Sequence, residues 1–167
     1  SCALNTPRSN CEVQQNYKRV NDPTVVCSFP IVGDADGACL LAWTTTPWTL
    51  PSNLALCVNP ALTYARVRNA ADGKVFVLLE SRLVQVYPDL AKPKKAADAR
   101  KAFEVLSTCE GAALVGLSYT PPFDYFEALR GSVPASGAFR VISGGWVADD
   151  AGCGGVCEAD GLAPQHV

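Results

Sequence analysis

Thirteen glycines and twelve prolines are spread along the chain. Proline lacks the N–H that a helix interior or a sheet ladder needs, and it pushes the residue before it into extended backbone. Glycine weakens any regular element it interrupts. A chain punctuated this often is confined to short elements, and its apolar stretches are of strand length. Val25 to Val32 and Ala38 to Thr46 read as two strands joined through Gly33-Asp34-Ala35-Asp36-Gly37, where Asp-Gly is a hairpin signal. Leu54 to Val58 is a short apolar strand stopped by Asn59-Pro60. Thr63 to Arg68 alternates Ala65 and Val67 with Tyr64, Arg66 and Arg68, the pattern of a half-buried strand. A turn through Asn69 to Gly73 leads to a strand over Lys74 to Leu79. Phe103 to Cys109, Ala113 to Val115, Phe139 to Ser143 and Trp146 to Ala148 complete the set, and Gly131 to Gly137 is a loop. One short helix is expected over Glu80 to Tyr87, with Leu83, Val84 and Tyr87 on one face. The fold class is therefore β-rich α+β, and a barrel with short helical inserts is the architecture expected.

With 167 residues the chain can support one core-bearing domain. Hydrophobic residues make up 49% and charged residues 18%, which excludes the composition of an unfolded chain. The net charge of −2 provides no overall positive field to attract nucleic acid, so any RNA contact has to be local. No DNA partner is expected. No apolar run approaches the roughly 20 residues that cross a bilayer. Eight cysteines first suggest a disulfide framework. However, residues 1–20 are polar, and Cys27, Cys39 and Cys57 lie in apolar runs where a free thiol behaves as a small hydrophobe. Free thiols in a reducing compartment are expected. Methionine is absent, including at position 1, and the chain reads as a piece of a larger protein.

Three consecutive hydroxyl residues, Thr44, Thr45 and Thr46, follow the apolar run Cys39-Leu40-Leu41-Ala42-Trp43, and Pro47 and Pro51 then prevent regular pairing. A strand ending in this way has two readings. Its hydroxyls can bond their own backbone, or they can form a rigid polar ledge that holds a small polar substrate or a water.

Other constellations are weaker. Cys153 and Cys157 have zinc-like spacing, but four ligands are needed and His166 is the one histidine. A Cys157–His166 nucleophile pair has no third group to orient it. Lys92, Lys94, Lys95, Arg100 and Lys101 form a basic cluster, read either as a solvated connector or as an RNA-backbone patch. The aromatic run Tyr119 to Phe126 is expected to pack on the core, with a base-stacking platform as the alternative.

The stretch Ala42-Trp43-Thr44-Thr45-Thr46-Pro47-Trp48-Thr49-Leu50-Pro51-Ser52-Asn53 resembles the threonine-rich peptide of the editing domain of isoleucyl-tRNA synthetases, the insertion called connective polypeptide 1. Leu4 to Asn10, Asn16-Tyr17-Lys18, Asp22-Pro23 and Phe29-Pro30 look like the approach to this domain in the eukaryotic cytosolic type. Phe103 to Leu106, Gly116, Tyr119, Pro121, Phe123 to Phe126 and Phe139 to Ile142 continue the match. The resemblance implies a distorted β-barrel of the class I Val/Leu/Ile type. It divides the chain into a lead-in over 1–24, the barrel over 25–150 and a divergent tail over 151–167. It also implies hydrolysis of valine mischarged onto isoleucine tRNA, in the cytoplasm, with the rest of the synthetase chain as a partner. Thr44, Thr45 and Thr46 are then the catalytic candidates, and Trp48 and Asn53 the substrate-binding ones. No metal or cofactor is implied, because ATP belongs to the synthetic domain, which this sequence lacks. The family continues with Gly-Thr-Gly, then His, then an acidic motif whose aspartate binds the α-amino group. Here Gly152-Cys153-Gly154-Gly155-Val156-Cys157 follows, with Cys157 where the histidine would stand. Impaired hydrolysis is therefore expected. A non-catalytic tRNA-binding or structural remnant, and a cysteine-rich metal or redox domain, are the alternatives.

Overall fold

The computed structural model describes residues 24–91, 101–129, 138–147 and 155–158, the last four as backbone alone. The lead-in before Thr24, four of the five basic-cluster residues, the loop 131–137 and most of the tail lie outside the described residues.

Among the described residues eight strands form one mixed sheet. They are β1 (Val25–Pro30), β2 (Cys39–Thr44), β3 (Ala55–Val58), β4 (Thr63–Asn69), β5 (Val75–Leu79), β6 (Phe103–Glu110), β7 (Arg140–Ser143) and β8 (Gly155–Glu158). β1 and β2 are an antiparallel hairpin with Val25 opposite Thr44 and Pro30 opposite Cys39. Gly33 and Gly37 take positive φ in its turn, a region closed to most side chains. Asp34 Oδ1 ties the turn together by accepting the N–H groups of Asp36 and Ala38, each at 3.0 Å. β1 occupies one edge of β2 along its whole length. The other edge is shared, with β5 parallel at Cys39 and Leu40 and β8 parallel at Trp43. β8 then pairs antiparallel with β3, and β3 pairs parallel with β7. The sheet therefore runs across the 150/151 boundary at which the family resemblance was expected to end.

Among the described residues no ladder between named strands closes the sheet into a barrel. Two isolated bridges, Ser118 to Arg140 and Ile31 to Tyr119, lead from β7 back to the end of β1. Backbone hydrogen bonds from Val32 to Ser118 (2.8 Å), Thr120 to Pro30 (2.8 Å) and Val141 to Leu117 (2.9 Å) reinforce that path. A barrel-like circuit thus passes through β1, β2, β8, β3, β7 and residues 117–120. β5, β4 and β6 extend from it as a side sheet, antiparallel to one another.

β2 separates two apolar layers. Leu40 and Ala42 face the larger core with Phe29, Leu56, Tyr64, Val77, Tyr119 and Phe139. Leu41 faces a smaller one with Ala65, Val67 and Leu78. A strand buried on both faces loses the polar alternation of a surface strand, which explains the unbroken apolar run before Thr44. Each fully buried large aliphatic side chain contributes roughly 1.5–3 kcal/mol.

Several sequence expectations are corrected. The helix at 80–87 is a 3-10 turn, Glu80–Arg82, followed by one α-turn, α1 (Leu83–Val86). Leu83 and Val86 cover the smaller core, whereas Val84 is exposed and Tyr87 stacks on Phe103 at 4.4 Å. Residues expected as a strand at 113–115 fall at and just past the 3-10 turn Gly111–Leu114. There the N–H groups of Gly111 and Ala112 return to the Leu62 and Pro60 carbonyls, and burial repeats at three-residue spacing. Trp146 and Val147 form a turn closed by Val147 N–H to the Gly144 carbonyl (3.2 Å). The aromatic run divides: Tyr119 is fully buried, while Phe123, Tyr125 and Phe126 are exposed, with Phe123 and Tyr125 stacked.

Candidate functional site

β2 stops at Thr44, two residues earlier than its β-branched sequence suggests. The Thr46 N–H turns back to Thr44 Oγ1 (3.0 Å) instead of entering the ladder, and Pro47 has no N–H to offer. The chain then winds into a 3-10 turn, Pro47–Ser52, with proline at its start and again at Pro51. Proline fits the first position because that N–H has no partner in a helix.

Thr44 is buried at the end of β2, whereas Thr45 and Thr46 are exposed. A row of hydroxyls runs from Thr44 Oγ1 to Thr46 Oγ1 (3.2 Å) and on to Thr49 Oγ1 (3.4 Å). Thr49 Oγ1 donates to the Thr46 carbonyl at 2.8 Å. Each hydroxyl has one proton, so that carbonyl fixes the direction of the row: Thr44 donates to Thr46, and Thr46 donates to Thr49. Thr46 Oγ1 keeps one open lone pair. Both hydroxyl–hydroxyl contacts are longer than an ordinary O–H···O bond, and a better partner displaces them at little cost. Thr45 has no hydrogen-bond partner among the described residues, so its hydroxyl can both donate and accept. Trp48, 72% exposed, presents its indole on the same turn.

Asn53 closes the turn from inside and is 3% exposed. Its N–H donates to the Leu50 carbonyl (3.1 Å), its Nδ2 donates to the Ala55 carbonyl (2.9 Å), and its Oδ1 accepts the Tyr119 hydroxyl (2.6 Å). The structure thus gathers the five sequence-derived residues on one turn but divides them. Thr45, Thr46 and Trp48 face outward, while Thr44 and Asn53 hold the turn from within. None of residues 44–53 is titratable near neutral pH, so the ledge can orient a substrate or water but cannot itself take up a proton. Thr49 and Tyr119 complete the arrangement and were not singled out as site residues from sequence. Tyr119 signalled core packing or base stacking but not a bond to this turn, because its partner is 66 residues away.

β8 lies beside the root of this ledge. Val156 is in register with Trp43 in a parallel pair, so Thr44 and Cys157 follow one residue further on in neighbouring strands.

Clefts also lie elsewhere among the described residues. One of about 280 Å³ lies beside the Asp34–Arg66 ion pair and is lined also by Cys109, Leu114 and Leu117. Another, about 460 Å³, lies between Val26, Leu41, Trp43 and α1. Cys27, Cys39 and Cys109 are free thiols. Burial pushes the Cys27, Cys39 and Cys109 thiols above the usual range, which disfavours the reactive thiolate. Among the described residues no three His, Cys, Asp or Glu side chains converge as metal ligands. The side chains of Cys153, Cys157 and His166 lie outside that set.

No protein-family model matches the chain. Its sequence is 46% identical over 173 residues to the cytoplasmic isoleucine–tRNA ligase of Arabidopsis thaliana, covering 92% of this chain. It is 45% identical to the Mus musculus cytoplasmic enzyme, covering 95%. The chain belongs to the isoleucine–tRNA ligase family. It spans 14% of the Arabidopsis relative's length and 11% of the mouse one's. The match to the Saccharomyces cerevisiae isoleucine–tRNA ligase, 43% identical, covers 99% of this chain and so reaches into residues 151–167. Solved structures similar in fold include a synthetase editing domain. GlLeuRS-CP1 aligns with a TM-score of 0.60 at 14% identity, over 81% of this chain and 54% of that one. The P. knowlesi cytosolic leucyl-tRNA synthetase editing domain aligns with a TM-score of 0.53 at 13% identity, over 80% of this chain and 55% of that one. This segment of the isoleucine–tRNA ligase family therefore has the fold of a class I synthetase editing domain.

Proposed function

We propose that this chain receives the aminoacylated 3′ end of isoleucine tRNA and hydrolyses valine mischarged onto it, as the editing part of an isoleucine–tRNA ligase. The observation that carries this reading is the ledge after β2. There Thr45 has a hydroxyl with no partner among the described residues, Thr46 has a lone pair that none of them occupies and Trp48 has an exposed ring, on a turn pinned from within by Thr44 and Asn53. In the reaction, a water oxygen bonds to the ester carbonyl carbon and the bond to the ribose oxygen breaks. Valine leaves as its carboxylate; one proton of the attacking water passes to the tRNA hydroxyl and the other to solvent. The threonines act by orientation: Thr45 donates to the ester or ribose, Thr46 accepts from the attacking water, and the Trp48 face stacks on the terminal base. Such a second site is needed because one missing methylene is discriminated by only about 10–200-fold at the synthetic site.

The reaction requires no metal or nucleotide, and ATP serves only the synthetic domain. The partners are isoleucine tRNA and the rest of the synthetase, in the cytoplasm. Among the described residues no helix is long and apolar enough to cross a membrane. Position 157, beside the root of the ledge, is Cys where the family motif has His, so turnover is expected to be slower than that of a complete editing domain.

The binding half of the proposal is tested with an amide-linked valyl-adenosine, which cannot be hydrolysed. Thr45→Trp should weaken its binding at least tenfold without moving Tm, because Thr45 is exposed and bonded to nothing described. Unchanged affinity would contradict the ledge as the binding wall.

A further inference from the structure

We infer that Tyr119 is a positioning residue for the ledge and acts through Asn53. This inference concerns how the turn is held and rests on the reading of the ledge as the substrate wall. The turn 47–52 is closed locally by the Thr49 N–H (3.0 Å) and Thr49 Oγ1 (2.8 Å) donating to the Thr46 carbonyl and by Ser52 Oγ donating to the Thr49 carbonyl (3.0 Å), bonds that do not reach the rest of the fold. It is one 3-10 segment carrying two prolines, and its first anchor is the pair of contacts between Thr46 and Thr44. Its second anchor is Asn53, whose Oδ1 takes the short 2.6 Å bond from Tyr119.

Tyr119 itself cannot follow a moving turn. It is fully buried, with the rings of Phe29 (5.4 Å, 85°) and Phe139 (6.3 Å, 90°) packed against it edge to face. Its N–H donates to the Phe139 carbonyl (3.0 Å), and the next N–H, of Thr120, donates to the Pro30 carbonyl (2.8 Å). Phe139 in turn donates its N–H to the Leu54 carbonyl (2.6 Å), one residue past Asn53, and holds a left-handed φ of 56° while buried. A non-glycine residue in that conformation is kept there by its surroundings. Asn53 and Leu54 are therefore fastened to the bridge segment that links β7 back to β1, and Tyr119 is the side-chain half of that fastening. A ledge that must place hydroxyls within a few tenths of an ångström of an ester has its exposed residues stretched between Thr44 and this buried pair.

Tyr119→Phe removes one hydroxyl and keeps both ring contacts, so the core should survive. Amide hydrogen exchange on the full 167-residue chain reads the turn directly through the Thr46, Thr49 and Asn53 N–H groups. The variant should speed their exchange about tenfold while amides of β4, β5 and β6 are unchanged. Affinity for amide-linked valyl-adenosine should fall in parallel. In an Asn53→Ala background the same change should add nothing. Unchanged exchange at the three amides overturns the inference. So does an equal effect with and without Asn53, because Tyr119 would then act through packing alone. A wild-type chain that does not bind the analogue, with the turn loosened in the variant, supports the anchor and removes the substrate reading instead.

Discussion

Arg66→Met removes the ion pair that fastens the hairpin turn to the side sheet. In β4, Arg66 donates to both carboxylate oxygens of Asp34 at 2.7 Å and to Asp36 at 2.9 Å. Two unit charges about 4 Å apart attract by about 4 kcal/mol at an effective dielectric near 20. Ordering and desolvation offset part of this. The Arg66 and Asp34 side chains are 22% and 15% exposed, between the exposed pairs worth at most about 1 kcal/mol and the buried pairs whose breakage costs about 3–5 kcal/mol. A loss of about 2 kcal/mol follows. Urea unfolding of wild type, Arg66→Met, Asp34→Asn and the double variant gives the coupling directly. Arg68→Met is the control, since its partners lie at 3.9 and 3.7 Å on exposed side chains; about 0.5 kcal/mol or less is expected there. The pH dependence has a definite sign. Hydrogen bonding to Arg66, ahead of the opposing effect of burial, holds the Asp34 carboxyl below the usual carboxylate range. A depressed folded pKa stabilises above the unfolded value, near 3.9, and that contribution disappears as the pH falls through the folded one. The gap between wild type and Arg66→Met should therefore be constant from pH 7 to about 5 and shrink below about 4. A coupling under about 0.5 kcal/mol, or a gap that widens in acid, would refute the reasoning.

Two further predictions concern the scaffold. Gly111→Ala would drive a Cβ into the Asn59 carbonyl and the Tyr64 ring; a loss of about 2–3 kcal/mol is expected in urea unfolding, and a neutral result would contradict the close approach. Because burial raises the Cys27, Cys39 and Cys109 thiols, they should alkylate with iodoacetamide at pH 8 far more slowly folded than in urea. Equal rates would show them exposed.

Much of the fold was legible because strand signals here are local. Gly33 to Gly37 marked the hairpin, and the alternation at 63–68 marked β4. The failures have physical causes. Ala113 to Val115 is apolar enough for a strand, but Gly111 lets the backbone turn against Asn59 immediately after β6. The parallel neighbours of β2 depend on pairings between distant segments that no local pattern encodes. The site was legible as a motif and not as a geometry. The run from Thr44 to Asn53 could be read directly, but its division into an exposed row and a buried anchor depends on Tyr119, far along the chain.

The ledge at 44–53 is proposed as the wall on which an aminoacyl ester is hydrolysed. Valine release from valyl-tRNA carrying the isoleucine anticodon, compared between the wild-type chain and Thr45→Trp, tests it most directly. Release by the wild-type chain should exceed the uncatalysed rate, be slower than that of an intact isoleucine–tRNA ligase, and be lost in the variant. Equal release by the two chains would contradict it.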